Sequence, residues 1–195
     1  MLDLEYEARI NQLLKADAWR MKVLFALRQT SLADGWIAAG FIRNMVWDHL
    51  SGITPCPPNE DVDILVFQPD DLSWDYENAL EDKLKAVASD IPWSVRNQAR
   101  MHERNGDDVY DNMVHAMAHW LETATSIAVR LDREDNIQFI NAYGYDDLFK
   151  MILRPTHSGF SKIDQLTQRA HDKGWLARWP QLRYLKMHPA KPYIC

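Results

Sequence analysis

Apolar residues recur at helical spacing from Leu4 to about Arg28, at Leu4, Ile10, Leu13, Leu14, Trp19, Val23, Leu24 and Leu27, and predict one or two amphipathic helices. "LADGW" at 32–36 punctuates the pattern as a turn. "WIAAG" at 36–40 reads as a short apolar strand ending in glycine. In "FIRNMVWDHL" at 41–50, Ile42, Met45, Val46 and Trp47 fall on one side of a helix. "SGITPCPPNE" at 51–60, with three prolines and a glycine, is loop. "DVDILVF" from Asp61 then reads as a strand, and "QPDDLSWDYENALEDKLKAVA" as a helix introduced by Asp and Ser capping signals. A further strand follows from Trp93 to about Asn97. Strand, helix, strand, helix, strand over residues 36–97 predicts a mixed α/β core.

Beyond Ala99 the pattern changes. "DNMVHAMAHWLE" at 111–122 is helical in period, "TSIAVRLDREDNIQFINAYG" reads as two strands around a charged turn, and "YDDLFKMIL" as a helix stopped near Pro155. The last segment predicts one or two helices broken near Gly174 and Pro180, with Trp175, Trp179 and Tyr184 packing them on the core. The expected division is a core over residues 1–105 and an α+β extension over 106–195.

One strand carries an anomaly. Side chains alternate faces along a strand, so Asp61 and Asp63 share a face at the entry of an otherwise apolar run. Adjacent carboxylates repel and lose hydration when buried, and a cation between them removes both penalties. Hard oxygen ligands suit Mg²⁺ (or Mn²⁺), which keeps coordination positions for substrate phosphates. Upstream, a strand ends at Gly40 where a helix begins. A helix N-terminus presents free N–H groups to an anion, and glycine lets the backbone come close. Arg43 and Asn44 fall in that helix's first turn, where arginine's planar fork of donors suits phosphate. A phosphate cradle beside a metal pair is apparatus for phosphoryl or nucleotidyl transfer.

With 195 residues the chain is long enough for one sizeable core. Its formal charge of −6 argues against strong nonspecific binding to a nucleic-acid backbone. Its two cysteines, Cys56 and Cys195, make neither a disulfide framework nor a zinc spacing. The acidic, amphipathic opening lacks the pattern of a secretory leader and no apolar run reaches membrane-spanning length, so the expected setting is cytoplasmic, away from membranes.

Three other groupings bear on chemistry. "RNQARMH" at 96–102 is dense in polar groups. Asn97 and Gln98 in it serve either as a rim for a nucleotide or as caps for the following loop. His115 and His119 stand four apart, the spacing of a helical zinc pair, but Ala116 occupies the place of the H-E-x-x-H glutamate. In "YGYDDLF" Asp146 or Asp147 is expected to cap a helix, with either able to face a cleft.

Together, "AGFIRNMVWD", "EDVDILVF", "WSVRNQARMH", "TATSIAVRL", "NAYGYDDLF" and "RPT" resemble the bacterial nucleotidyltransferase-like family of the DNA polymerase β-type nucleotidyltransferase superfamily, over about residues 10–185. The resemblance implies a polymerase β-type core, a mixed sheet flanked by helices, with a C-terminal α+β extension. It implies that Gly40 is the turn glycine and that Asp61 and Asp63 are the metal-binding, catalytic pair. The superfamily pattern has a glycine or serine after the turn glycine, where this chain has Phe41. It also has a third carboxylate on a later strand. "WSVRNQ" offers Ser94 and Arg96 on the facing positions, with Glu122 or Asp132 as substitutes from the next segment. The implied function is Mg²⁺-dependent transfer of a nucleoside monophosphate from an NTP to an acceptor, with Gly40, Arg43, Asn44, Asn97 and Gln98 contacting the nucleotide. The alternative is a catalytically reduced module on the same fold that binds nucleotide or a protein partner.

Overall fold

The computed structural model describes residues 2–30, 32, 34–54, 56–57, 60–186 and 189–192. Part of the Pro-rich loop at 51–60, and Cys195, lie outside the described residues. Two helices lead in, α1 (Leu2–Ala16) and α2 (Ala18–Gln29). Asp17 separates them, its carboxylate accepting from the Arg20 backbone N–H at 2.9 Å as the cap of α2. The remaining helices are α3 (Gly40–Leu50), α4 (Trp74–Val87), α5 (Met101–Asn105), α6 (Met113–Ala118), α7 (Asp146–Phe149), α8 (His157–Phe160), α9 (Ile163–Asp172) and α10 (Trp175–Arg178). The strands are β1 (Trp36–Ile37), β2 (Val62–Val66), β3 (Trp93–Asn97), β4 (Ile127–Leu131), β5 (Ile137–Asn141), β6 (Ile152–Leu153) and β7 (Arg183–Tyr184).

Five strands form one mixed sheet in the order β3-β2-β1-β4-β5. β2 and β3 are parallel because α4 crosses over between them, while β1 is antiparallel to both β2 and β4. The β4–β5 hairpin extends the sheet that β1–β3 begin, so strands from both sides of residue 105 share one sheet. One face of the sheet is sealed. Val62, Ile64, Val66, Ile37 and Val129 join Leu24, Met45 and Trp47 in the main core. The other face carries Asp63, Leu65, Trp36, Ala38 and Ala128, and is covered only in part by α6 and Tyr143.

The C-terminal tryptophans close the core. Trp47 meets Trp179 edge-on at 5.0 Å and Trp175 at 6.3 Å. The fully buried Asp48 accepts from Trp179 Nε1 at 2.9 Å and pairs in two places with Arg178 at 3.0 and 2.8 Å. The predicted helix over "YDDLFKMIL" stops after Phe149 instead. Met151 takes a positive φ of 50°, and Ile152–Leu153 pairs with Arg183–Tyr184 as a strand, a long-range partner that periodicity does not reveal. Among the described residues no helix is long and apolar enough to cross a membrane.

The corner after β3 hangs on one buried carboxylate. Glu77, 1% exposed on α4, accepts from the Asn97 backbone N–H at 2.6 Å and from Arg100 Nε and Nη2 at 2.8 and 2.7 Å. Truncation leaves that N–H and the guanidinium without their acceptor. Glu77→Ala is therefore expected to cost about 2–3 kcal/mol, read as a lowering of the thermal midpoint by about 5–10 °C.

Candidate active-site cleft

β1 leaves the sheet where β2 enters it, because the two strands run antiparallel. Ala38 N–H donates to Asp63 O at 3.1 Å, the chain reverses at Ala39, and α3 starts at Gly40. The turn and the two aspartates are thus neighbours through strand register rather than sequence. Val62 pairs with Trp93 toward the core, so Asp61 and Asp63 take the open face. Asp61 is exposed and Asp63 partly buried. Burial pushes the Asp63 carboxyl above its ordinary range and the Asp61 charge adds to this, against Arg169, Arg96 and Lys173. Two like charges held together, one of them half out of water, form a donor set that suits a hard divalent cation. Among the described residues no group of three or more His, Cys, Asp and Glu side chains converges on a metal position. The remaining ligands of such an ion would have to be substrate phosphate and water, as Mg²⁺ favours.

The turn differs in detail from its sequence reading. The conformation that favours glycine falls on Ala39, at φ 55° and ψ −122°, and Gly40 is already helical. A Cβ on Gly40 meets only side-chain ends, Asn44 Nδ2 at 3.3 Å and Glu60 Oε2 at 3.5 Å. Phe41 is 4% exposed and packs inward beside Trp19, so its bulk does not enter the cleft. The α3 N-terminus has no side-chain cap, and Ala39 lies on the cleft wall.

Arg43 is not at the surface. It is 1% exposed, 4.1 Å from the Trp175 ring centroid and 5.5 Å from that of Trp47, and its Nε and Nη2 donate to Asn44 Oδ1 at 3.1 and 2.8 Å. Its Nη1 stands 3.5 Å from Glu122 Oε1 and has no hydrogen-bond partner among the described residues. Burial pushes the guanidinium down to about 10, with Glu122 opposing. Arg43 and Asn44 therefore form the floor of the turn. Asn97 is likewise committed, donating to Gln68 O and Asp71 O at 2.8 and 2.9 Å and accepting from Gln68 and Ala99 N–H groups. Gln98 does reach the cleft, its Oε1 accepting from Trp120 Nε1 at 3.2 Å.

The cleft is a cavity of about 390 Å³ with Asp63 and Glu122 on its wall. Against these two acids stand Arg96, Arg104, Lys162 and Arg169. The pocket is cationic in a chain of net charge −6, which concentrates an anionic ligand there. Sequence reasoning missed the contribution of α9. Lys162, Gln165, Arg169 and Lys173 recur at helical spacing along one stripe, and that polar period is the signal that reveals them. Lys173 reaches Glu60 at 2.8 Å. Burial works against the Glu60 charge, yet Lys173, Arg43 and Arg169 together hold its carboxyl below the usual range.

Strand register also locates where a third carboxylate is lacking. Asp63 is flanked by Ser94 on β3 and Ala38 on β1, and beyond β1 by Ala128, since Val129 pairs with Ile37. Of the two substitutes, Glu122 is in the cleft but 1% exposed and bound to Thr125 Oγ1 at 3.0 Å. Asp132 is in the β4–β5 turn, bonded to Glu134, Asn136 and Gln138. Asp146 and Asp147 cap nothing: α7 follows Tyr145 without a side-chain cap, and these acids bond Tyr6, Lys150, Thr123 and Arg154 instead.

A mixed sheet with an acidic pair at one strand entry, beside a turn into a helix, defines a nucleotidyltransferase-type α/β protein. Residues 26–184 match a family described as Nucleotidyltransferase, and the chain belongs to that family. A solved NMR structure, described as revealing a CCA-adding enzyme head domain, is 28% identical with a TM-score of 0.78, over 91% of this chain and 95% of that one. The apo form II structure of a CCA-adding enzyme shares the fold, with 16% identity and a TM-score of 0.58; 90% of this chain spans 44% of that protein. No curated protein sequence matched.

Proposed function

We propose that the cleft transfers a nucleoside monophosphate from an NTP to an acceptor hydroxyl, with release of pyrophosphate. The observation that carries this is the partly buried Asp63, beside Asp61, on the wall of a cavity otherwise lined by a surplus of cations. Asp61 and Asp63 would hold Mg²⁺, which supplies charge stabilisation at the α-phosphate and the leaving oxygen. The uncapped α3 N-terminus, Arg169 and Arg96 face the phosphates, and the buried Arg43 adds positive potential from below. Gln98 lies on the wall toward Trp120, where a base or sugar is in reach.

A second reading has its own support. With Ser94, Ala38 and Ala128 around Asp63, no strand neighbour provides a third carboxylate, as a catalytically reduced binding module predicts. Calorimetric titration with each of the four NTPs, with and without Mg²⁺, tests the shared part. Micromolar binding that needs the metal, and weakens at least ~10-fold in Asp61→Asn, is expected. Binding indifferent to metal and to the substitution would remove the nucleotide site altogether. Pyrophosphate release then separates a transferase from a module that only binds.

A further inference from the structure

The transfer reaction needs a group that takes the proton from the attacking hydroxyl, and the strands around Asp63 provide no carboxylate for it. Glu122 is engaged with Arg43 and Thr125 and is fully buried. We infer that His119 is that proton acceptor, a reading that rests on the proposed transferase activity. His119 ends α6 and lies on the cavity wall with Asp63. Its Nδ1 is 2.9 Å from His115 O. A carbonyl oxygen only accepts, so Nδ1 carries the hydrogen, and in the neutral ring the lone pair is on Nε2. Among the described residues the hydrogen bond of this ring is the one at Nδ1, which leaves Nε2 for a ligand in the cavity. The ring is packed against Tyr110 at 4.9 Å and His115 at 4.9 Å between centroids, which fixes its orientation.

In the step assigned to it, Nε2 takes the hydroxyl proton as the acceptor oxygen forms its bond to the α-phosphorus. The bond from that phosphorus to the bridging oxygen breaks, and pyrophosphate leaves with the electron pair. His115 and Tyr110 face the imidazole on its own side. The same cavity is lined by Asp63 and Glu122, with Arg96, Arg104, Lys162 and Arg169 as fixed cations. Asp63, pushed up by burial, is the other group able to shape a pH profile, and a histidine variant separates the two.

The test uses the full chain, MgATP, and water or glycerol as the hydroxyl donor. Long-range ¹H–¹⁵N spectra of the imidazoles are expected to give the Nδ1–H tautomer for His119 and an Nε2 signal that MgATP moves. Pyrophosphate release is expected to rise with pH, because a general base acts only in its deprotonated form. His119→Gln is expected to lower it ~100-fold and flatten that rise while MgATP still binds. His115→Gln keeps the backbone carbonyl but loses one of the two rings that hold the imidazole, and is expected to lower the rate less than His119→Gln while keeping the rise with pH. An unchanged profile in His119→Gln, an Nε2–H tautomer, or an Nε2 signal that MgATP leaves unmoved in protein that binds it would each overturn the assignment. Wild type that fails to bind MgATP overturns the transferase reading first, and this one with it.

Discussion

Replacing Asp63 with asparagine is expected to stop the proposed nucleotidyl transfer and, at neutral pH without metal, to make the protein more resistant to heat. The two effects share one cause. Burial and the neighbouring Asp61 charge push the Asp63 carboxyl above its ordinary value in the fold. A carboxyl whose folded pKa exceeds its unfolded one holds its proton more tightly when folded. Stability contributed by that group is present at low pH and is lost as pH rises through the folded value. Asparagine never ionises, so the variant escapes this loss. In EDTA its advantage over wild type grows from acidic to neutral pH and fades below the ordinary carboxylate range. On the proposed reading, adding Mg²⁺ and ATP is expected to reverse the order, because a ligand that binds only the folded wild type stabilises only the wild type. On the proposed reading, in which Asp63 would be a metal ligand, its loss is expected to lower the rate of pyrophosphate release by at least ~10³-fold, about 4 kcal/mol of transition-state stabilisation. Thermal melts at pH 5 and pH 8 with EDTA or MgATP, alongside the release assay, check both halves. Equal melting in all four conditions would show that Asp63 carries no strained charge and holds no ion.

What the sequence made legible is what local period controls. The strand at 62–66, the capped helix at 74–87 and the strand at 93–97 follow from alternation, Ser73 and the return of β-branched and aromatic residues. The pairing of Asp61 with Asp63 follows from strand geometry alone. What stayed hidden depends on partners far along the chain. Arg43 reads as an exposed first-turn cation until Trp175 and Glu122 are seen to cover it from segments 79 residues or more away. The strained conformation at Ala39, in place of Gly40, is set by how β1 meets β2. The strand at Ile152–Leu153 exists because Arg183–Tyr184 pairs with it. Asn97 reads equally as a ligand rim or as a brace for the following loop, since polar residues that satisfy buried backbone groups resemble binding residues in one dimension, and its hydrogen bonds are those of the brace. The cations of α9 stood in the open as a helical stripe, but what that stripe faces depends on the tertiary fold.

Arg43→Ala is expected to cost about 3–5 kcal/mol, with a thermal midpoint lowered by about 10 °C or more. The guanidinium and Glu122 are each 1% exposed, and removing one leaves the other as an uncompensated charge out of water. The loss extends beyond charge, because Arg43 covers the Trp175 ring at 4.1 Å and Trp47 at 5.5 Å, and a cavity opens between α3 and the C-terminal helices. Arg43→Lys is not conservative here: an ammonium cannot lie flat on the Trp175 face while its donors reach Asn44 Oδ1. A double variant, Arg43→Met with Glu122→Gln, removes both charges, keeps most of the volume, and is expected to recover a large part of the lost stability. Nucleotide binding separates structure from function in that variant. Because the double variant removes one positive and one negative charge beside the cavity, it is expected to bind MgATP about as tightly as wild type once its stability is recovered. Single variants that melt within 1 kcal/mol of wild type, or a double variant no more stable than Arg43→Ala, would show that the pair is neither buried charge nor coupled, and the floor of the turn would have to be held by packing alone.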